Sequence, residues 1–301
     1  MKFKNQAYED LVRDLISDAF YLESRSNRGK IATIRQYAEV VIRKLLDLPR
    51  REKVTLGDHD IVKKLQDVSS NDKLLMKAVK RLQNLGNKCT HTQNTNPISD
   101  EDVNSAISAL FKLYASLFVL YFKKYKFGSS NDIVSAFSIL PPIIRYIVLE
   151  SLYKNDNGNL LVIDKLCLVL LKAFDKDNAL EWLNERKEEL SNILPYTTEA
   201  ISDIEAAYGK QHAQSVVDNA PENMYICCLE RLEQVALTLE QQGVLYNNFE
   251  QAKQLYLEEG ILDDDKQENR DFNDIMEFVY LGRKIEANEK LKNKHLYSTT
   301  V

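Results

Sequence analysis

One short stretch gathers the residue types that acid–base chemistry on a phosphate ester needs: Arg81-Leu82-Gln83-Asn84-Leu85-Gly86-Asn87-Lys88-Cys89-Thr90-His91. His91 is one of only four histidines in 301 residues and follows Asn87 by four positions. A histidine near neutral pH can take or give a proton. An amide side chain and nearby cations can orient a phosphate and stabilise the charge that develops on it. In a chain without a metal-binding motif this combination suits RNA cleavage, where the 2′-hydroxyl is an internal nucleophile. The same residues also fit a plainer reading, in which Gly86-Asn87 is a helix stop and His91 caps a carbonyl.

Other common engines are missing from the sequence. There is no G-x-x-x-x-G-K-[ST], no G-x-G-x-x-G after a strand, no H-E-x-x-H and no G-x-S-x-G. His59, His212 and His295 have no His or Cys at metal-ligand spacing, and Cys89 with His91 makes half a zinc site at most. No metal and no cofactor is expected. Cys89, Cys167, Cys227 and Cys228 form no C-x-x-C pair and read as reduced, mostly buried thiols. The N-terminus carries no apolar signal core, and no apolar run reaches the ~20 residues of a membrane span. A cytoplasmic protein without membrane association is the expectation.

The elements that must position the stretch are helical, because glycine and proline are scarce (9 and 6) and apolar residues recur at a 3.6 period. The spacing predicts helices over 5–24 and 30–48, a short one over 56–68, and one over 73–85 begun by Asn71 or Asp72. Gly86 is expected to end that last helix in a left-handed turn, leaving Asn87 and His91 just past its end. Ser99 with Asp102 makes a capping box for a long aromatic-rich helix to about 125, the central helix of a bundle. Further helices are expected near 132–138, 141–153, 160–174, 177–193, 197–208, 211–219, 222–243, 248–259 and 270–293. On the second helix Arg35, Glu39 and Arg43 share a stripe. That stripe is either an exposed ion-pair ladder or a polar face turned to a site, where Arg35 and Arg43, with Lys88, would bind phosphate.

Charge divides the chain. Residues 1–128 hold 23 Lys+Arg against 15 Asp+Glu, a net of +8; residues 129–301 hold 17 against 30, a net of −13. A basic bundle over 1–128 and an acidic helical domain over 129–301 are expected, the boundary lying at Gly128-Ser129-Ser130-Asn131-Asp132. The first is suited to a polyanion and the second to a partner protein.

The order of elements in residues 5–127 resembles the HEPN superfamily of helical-bundle domains. Arg35-x-x-x-Glu39 on one helix, Gly86-Asn87-x-x-x-His91 after the next, and a long apolar helix behind them are similar to members whose motif reads G-N-x-x-x-H. The resemblance implies an all-α HEPN-like bundle that forms a homodimer. It implies either a metal-independent endoribonuclease of a prokaryotic defence or toxin system, or a non-catalytic dimerisation module docked to a larger defence enzyme. It makes His91 the acid/base group and Asn87 the phosphate-orienting group, with RNA as ligand. The nuclease motif has an arginine four to six residues ahead of the histidine. Here Gly86 stands in that region, and Arg81, Arg35 and Lys88 are the candidates for the missing cation.

Overall fold

The structure is a computed structural model that describes residues 6–49 and 51–286. It is all-α, with no strand among the described residues. The helices are α1 (Gln6–Ile16), α2 (Asn27–Leu45), α3 (His59–Ser69), α4 (Lys73–Thr90), α5 (Asp100–Lys124), α6 (Asn131–Phe137), α7 (Pro142–Asn155) and α8 (Leu160–Ala173). They continue as α9 (Lys176–Glu185), α10 (Lys187–Ser191), α11 (Thr198–Tyr208), α12 (Lys210–Asn219), α13 (Met224–Gln242), α14 (Phe249–Leu255) and α15 (Gln267–Tyr280). Wider π-type turns extend α1 over Ser17–Tyr21 and α14 over Tyr256–Gly260.

Local chemistry starts most of these helices. The side chains of Ser26, Asp58, Asp72, Ser99, Ser130, Asn159 and Asn248 each accept a hydrogen bond from a free first-turn amide, satisfying donors that a helix leaves unpaired. Ser99 accepts from Asp102 at 3.2 Å, with three acidic residues in the first turn of α5.

Around α5 the core is built from α2 and α4, which pack on it and on each other, with α1 against α2 and α3 against α4. Ala106, Leu110, Leu113, Tyr114, Leu117, Phe118, Tyr121 and Phe122 of α5 are all buried. Among the described residues α5 is the helix long and apolar enough to cross a membrane, and 67% of that window is buried in protein, the pattern of a core helix. Its aromatics need cover on more than one side, and later parts of the chain supply it. Phe118 meets Phe137 of α6 at 5.8 Å and Phe272 of α15 at 6.0 Å. Tyr114 donates to Tyr37 of α2 at 2.8 Å, and Tyr37 stacks on Phe278. Arg283 is buried with its guanidinium 3.9 Å from the Phe20 ring centroid and 4.4 Å from that of Phe249.

That covering shifts the expected boundary at 128. The described residues form two compact units, one of residues up to 148 together with those from 246 to 286, the other of 149–245. The change of charge sign at 128 does not coincide with the end of a core, because a core is bounded by apolar contacts. In the second unit α8 packs on α9 and α13. There Asp164 is buried, with Nε of Arg231 at 2.9 Å, an ion-pair distance without hydrogen-bond alignment. The run expected over 177–193 breaks at Arg186 into α9 and α10. The helix expected over 270–293 ends at Tyr280, and the part beyond 286 lies outside the described residues. Gly282 turns the chain at φ +77, where a Cβ would come within 3.1–3.2 Å of Ile16 and Arg13.

Candidate functional site

Two helices build the site, α2 and the C-terminal half of α4. α4 does not stop at Gly86 but continues to Thr90. The glycine answers to packing instead of to a turn. A Cβ at Gly86 would lie 2.3 Å from Cδ of Arg35, 2.9 Å from its Cγ and 3.0 Å from its Cβ. The arginine stem of α2 therefore crosses α4 in a notch that only a residue without a side chain leaves open.

Beyond the notch the Arg35 guanidinium reaches the end of α4. Its NH1 donates to Oγ1 of Thr90 at 3.0 Å, and that hydroxyl donates to the Gly86 carbonyl at 3.0 Å. On the other side Nε of Arg35 is 3.8 Å from Oε1 of Glu39. Burial raises the Glu39 carboxyl above its usual range, opposed by the Leu56 amide and by Arg35 and Lys53.

His91 follows directly. It leaves the helix in extended backbone (φ −93, ψ 122), and its N–H donates to the Asn87 carbonyl at 3.2 Å. Its imidazole is exposed and has no hydrogen-bond partner among the described residues. Asn87 is half-buried one turn earlier, and Lys88 is exposed beside it. Arg35, Asn87, Thr90 and His91 thus gather at one helix end.

Two of the expected site residues are directed elsewhere. Nε of Arg81 donates to Oγ of Ser105 on α5 at 2.7 Å. Its Cα lies about 13 Å along α4 from Thr90, nine residues at 1.5 Å each. Arg43 is buried, donates to the carbonyls of Pro49 at 2.6 Å and Glu52 at 2.5 Å, and sits over the Tyr8 ring. Its charge fastens the turn after α2, so its terminal nitrogens are engaged by backbone and not turned to the end of α4.

Arg28 is a residue that sequence spacing did not single out. Its guanidinium donates to the carbonyls of Lys88 (2.7 Å), Cys89 (3.4 Å), Asn94 (3.0 Å) and Asn96 (3.0 Å). It closes the end of α4 and fixes the loop that carries His91. Asn27 continues the clamp, donating to the Ile98 carbonyl and to Asp100. A faint signal existed: Arg28 stands in the first turn of α2, where the helix dipole disfavours a cation, so its charge had to be used elsewhere.

Chemically, the end of α4 offers an accessible imidazole and an amide from its own sequence and a fixed guanidinium brought in from α2. Among the described residues no group of three or more His, Cys, Asp or Glu is placed to hold a metal ion. Comparison with protein-family models, with curated proteins and with solved structures finds no match to this chain.

Proposed function

We propose that this protein is a HEPN-type, metal-independent endoribonuclease acting in a prokaryotic defence system, with its site around His91. The supporting observation is the passage of Arg35 through the Gly86 notch to Thr90. It brings a guanidinium to the residue before His91, where the G-N-x-x-x-H stretch has a lysine but no arginine of its own.

In this reading His91 takes the proton of a ribose 2′-hydroxyl. The 2′-oxygen bonds to phosphorus, the bond to the 5′-oxygen breaks, and that oxygen receives a proton from a protonated imidazole. One histidine cannot be both base and acid at the same instant, so the His91 of a second copy in a homodimer supplies the proton. Arg35 balances the charge on the five-coordinate phosphorus, Asn87 orients a non-bridging oxygen, and Lys88 draws the strand in. The products are a 2′,3′-cyclic phosphate and a free 5′-hydroxyl.

The test is incubation of the protein with total RNA in EDTA. Wild type should cut and leave cyclic phosphate ends. His91→Ala and Arg35→Ala should each be slower by roughly 100-fold or more. Cleavage that survives His91→Ala would overturn the assignment.

A second reading draws on a different feature. The second unit is acidic (8 Lys+Arg against 17 Asp+Glu over 149–245), and α11 buries none of its residues, with Tyr208 72% exposed. There the bundle is a dimerisation module and the acidic unit docks a protein partner. A folded, dimeric wild type that leaves RNA intact would favour it.

A further inference from the structure

At Glu39, the ion-pair partner of Arg35, lies an open groove of about 310 Å³. Among the described residues its walls include Tyr8 and Leu15 of α1, Gln36, Glu39 and Val40 of α2, and Val54. Aromatic and aliphatic side chains make most of this surface, and three polar side chains interrupt it. Gln36 is exposed and makes no hydrogen bond with a described residue. Glu39 uses Oε1 to accept from the Leu56 N–H at 3.3 Å and to face Arg35, while Oε2 has no hydrogen-bond partner among the described residues. Arg43 also borders the groove, but its terminal nitrogens hold the carbonyls of Pro49 and Glu52, so the groove's open acceptor is a carboxylate.

We infer that this groove is a base pocket that selects guanine beside the phosphate held at Arg35, an inference that rests on the RNA-cleaving reading. Guanine presents two adjacent N–H donors and one acceptor on its pairing edge. Oε2 of Glu39 and the remaining lone pair of Oε1 match the two donors, and the Gln36 amide can donate to the acceptor. Adenine and cytosine each place a ring acceptor where a carboxylate would repel it, and uracil offers a single N–H between two carbonyls. The Tyr8 ring and the side chains of Leu15 and Val40 give the base an apolar bed, as single-stranded RNA readers do. Spacing agrees: Glu39 is one helical turn, about 6 Å, from Arg35 along α2, so a phosphate at the guanidinium leaves its own nucleotide's base within reach of the groove.

The experiment uses the full chain carrying His91→Ala, which holds RNA uncut, and four fluorescein-labelled pentanucleotides. Each has uridines at its ends and guanosine, adenosine, cytidine or uridine at its centre, and binding is read by anisotropy at one fixed salt concentration. The guanosine oligomer should bind roughly 10- to 100-fold tighter than the adenosine one, the discrimination expected of a bidentate pair. Adding Glu39→Gln should narrow that ratio to under about 3-fold, and the carboxamide still accepts from Leu56. Gln36→Leu, at an exposed position, gives a second narrowing if the Glu39 variant misfolds. Equal binding of all four oligomers overturns the pocket and leaves the RNA reading standing. Binding of none overturns both. A guanosine preference without cleavage by the wild type keeps the pocket and removes the nuclease.

Discussion

Replacing Gly86 by alanine sets two effects of opposite sign against each other. Inside a helix, alanine is worth up to about 1 kcal/mol more than glycine, and Gly86 sits four residues before the end of α4. Against that, the new methyl would lie 2.3 Å from Cδ of Arg35 and 3.0 Å from its Cβ, so the stem must leave the notch along its whole length. Leaving costs the hydrogen bond to Thr90, about 1 kcal/mol. It also costs an ion pair to Glu39 of no more than about 0.5 kcal/mol and the packing of a stem that is 16% exposed, about 1–2 kcal/mol. Gly86→Ala should therefore destabilise the protein by about 1–2 kcal/mol. In an Arg35→Ala background nothing fills the notch, and the same substitution should stabilise by up to about 1 kcal/mol. Urea denaturation of the four proteins closes a double-mutant cycle with a coupling of about 2–3 kcal/mol. A Gly86→Ala protein more stable than wild type, or a coupling below about 0.5 kcal/mol, would refute the notch.

Arg28→Ala leaves two carbonyls at the end of α4 and two in the loop after it without their donor. It should cost about 2 kcal/mol, and hydrogen exchange should quicken over 89–96 while the core amides of α5 stay protected. Asp271 gives a pH test. Burial pushes its carboxyl up, but hydrogen bonds from Lys124, Tyr125 and Gln267 outweigh burial and bring it down to about 2. A depressed carboxylate stabilises the fold above its unfolded value near 4 and loses that contribution as pH falls towards 2. Because Lys124 is largely exposed, the contribution is about 1–2 kcal/mol. Asp271→Asn should be less stable than wild type by that amount at pH 7, with the gap narrowing steadily below pH 4 in urea titrations.

What the sequence disclosed follows from which interactions are local. The Ser99–Asp102 cap, the Asp72 cap and the buried face of α5 depend on residues within one or two turns, and periodicity places them correctly. Gly86 was legible as special but not for the right reason, because the side chain that requires it comes from 51 residues earlier in the chain. Arg81 and Arg35 were equal candidates on composition, and only the packing of α2 on α4 separates them. Arg28 escaped because its partners are backbone carbonyls, which every residue carries and no motif marks. The boundary placed at 128 failed for a related reason: Phe118 and Tyr114 are completed by residues beyond 245, and charge bookkeeping cannot register an aromatic contact.

The return of α14 and α15 to the first bundle also has a meaning in time. A ribosome releases α5 long before Phe249, Phe272 and Phe278 exist, so the aromatic surface of α5 emerges uncovered. About 150 residues separate the two, which at 5–20 residues per second is roughly eight to thirty seconds of translation. During that interval residues 149–245 have already emerged and can collapse as a unit of their own, inserted between the halves of the bundle they interrupt. The bundle bearing His91 is therefore the first part of the chain to be made and the last to be finished.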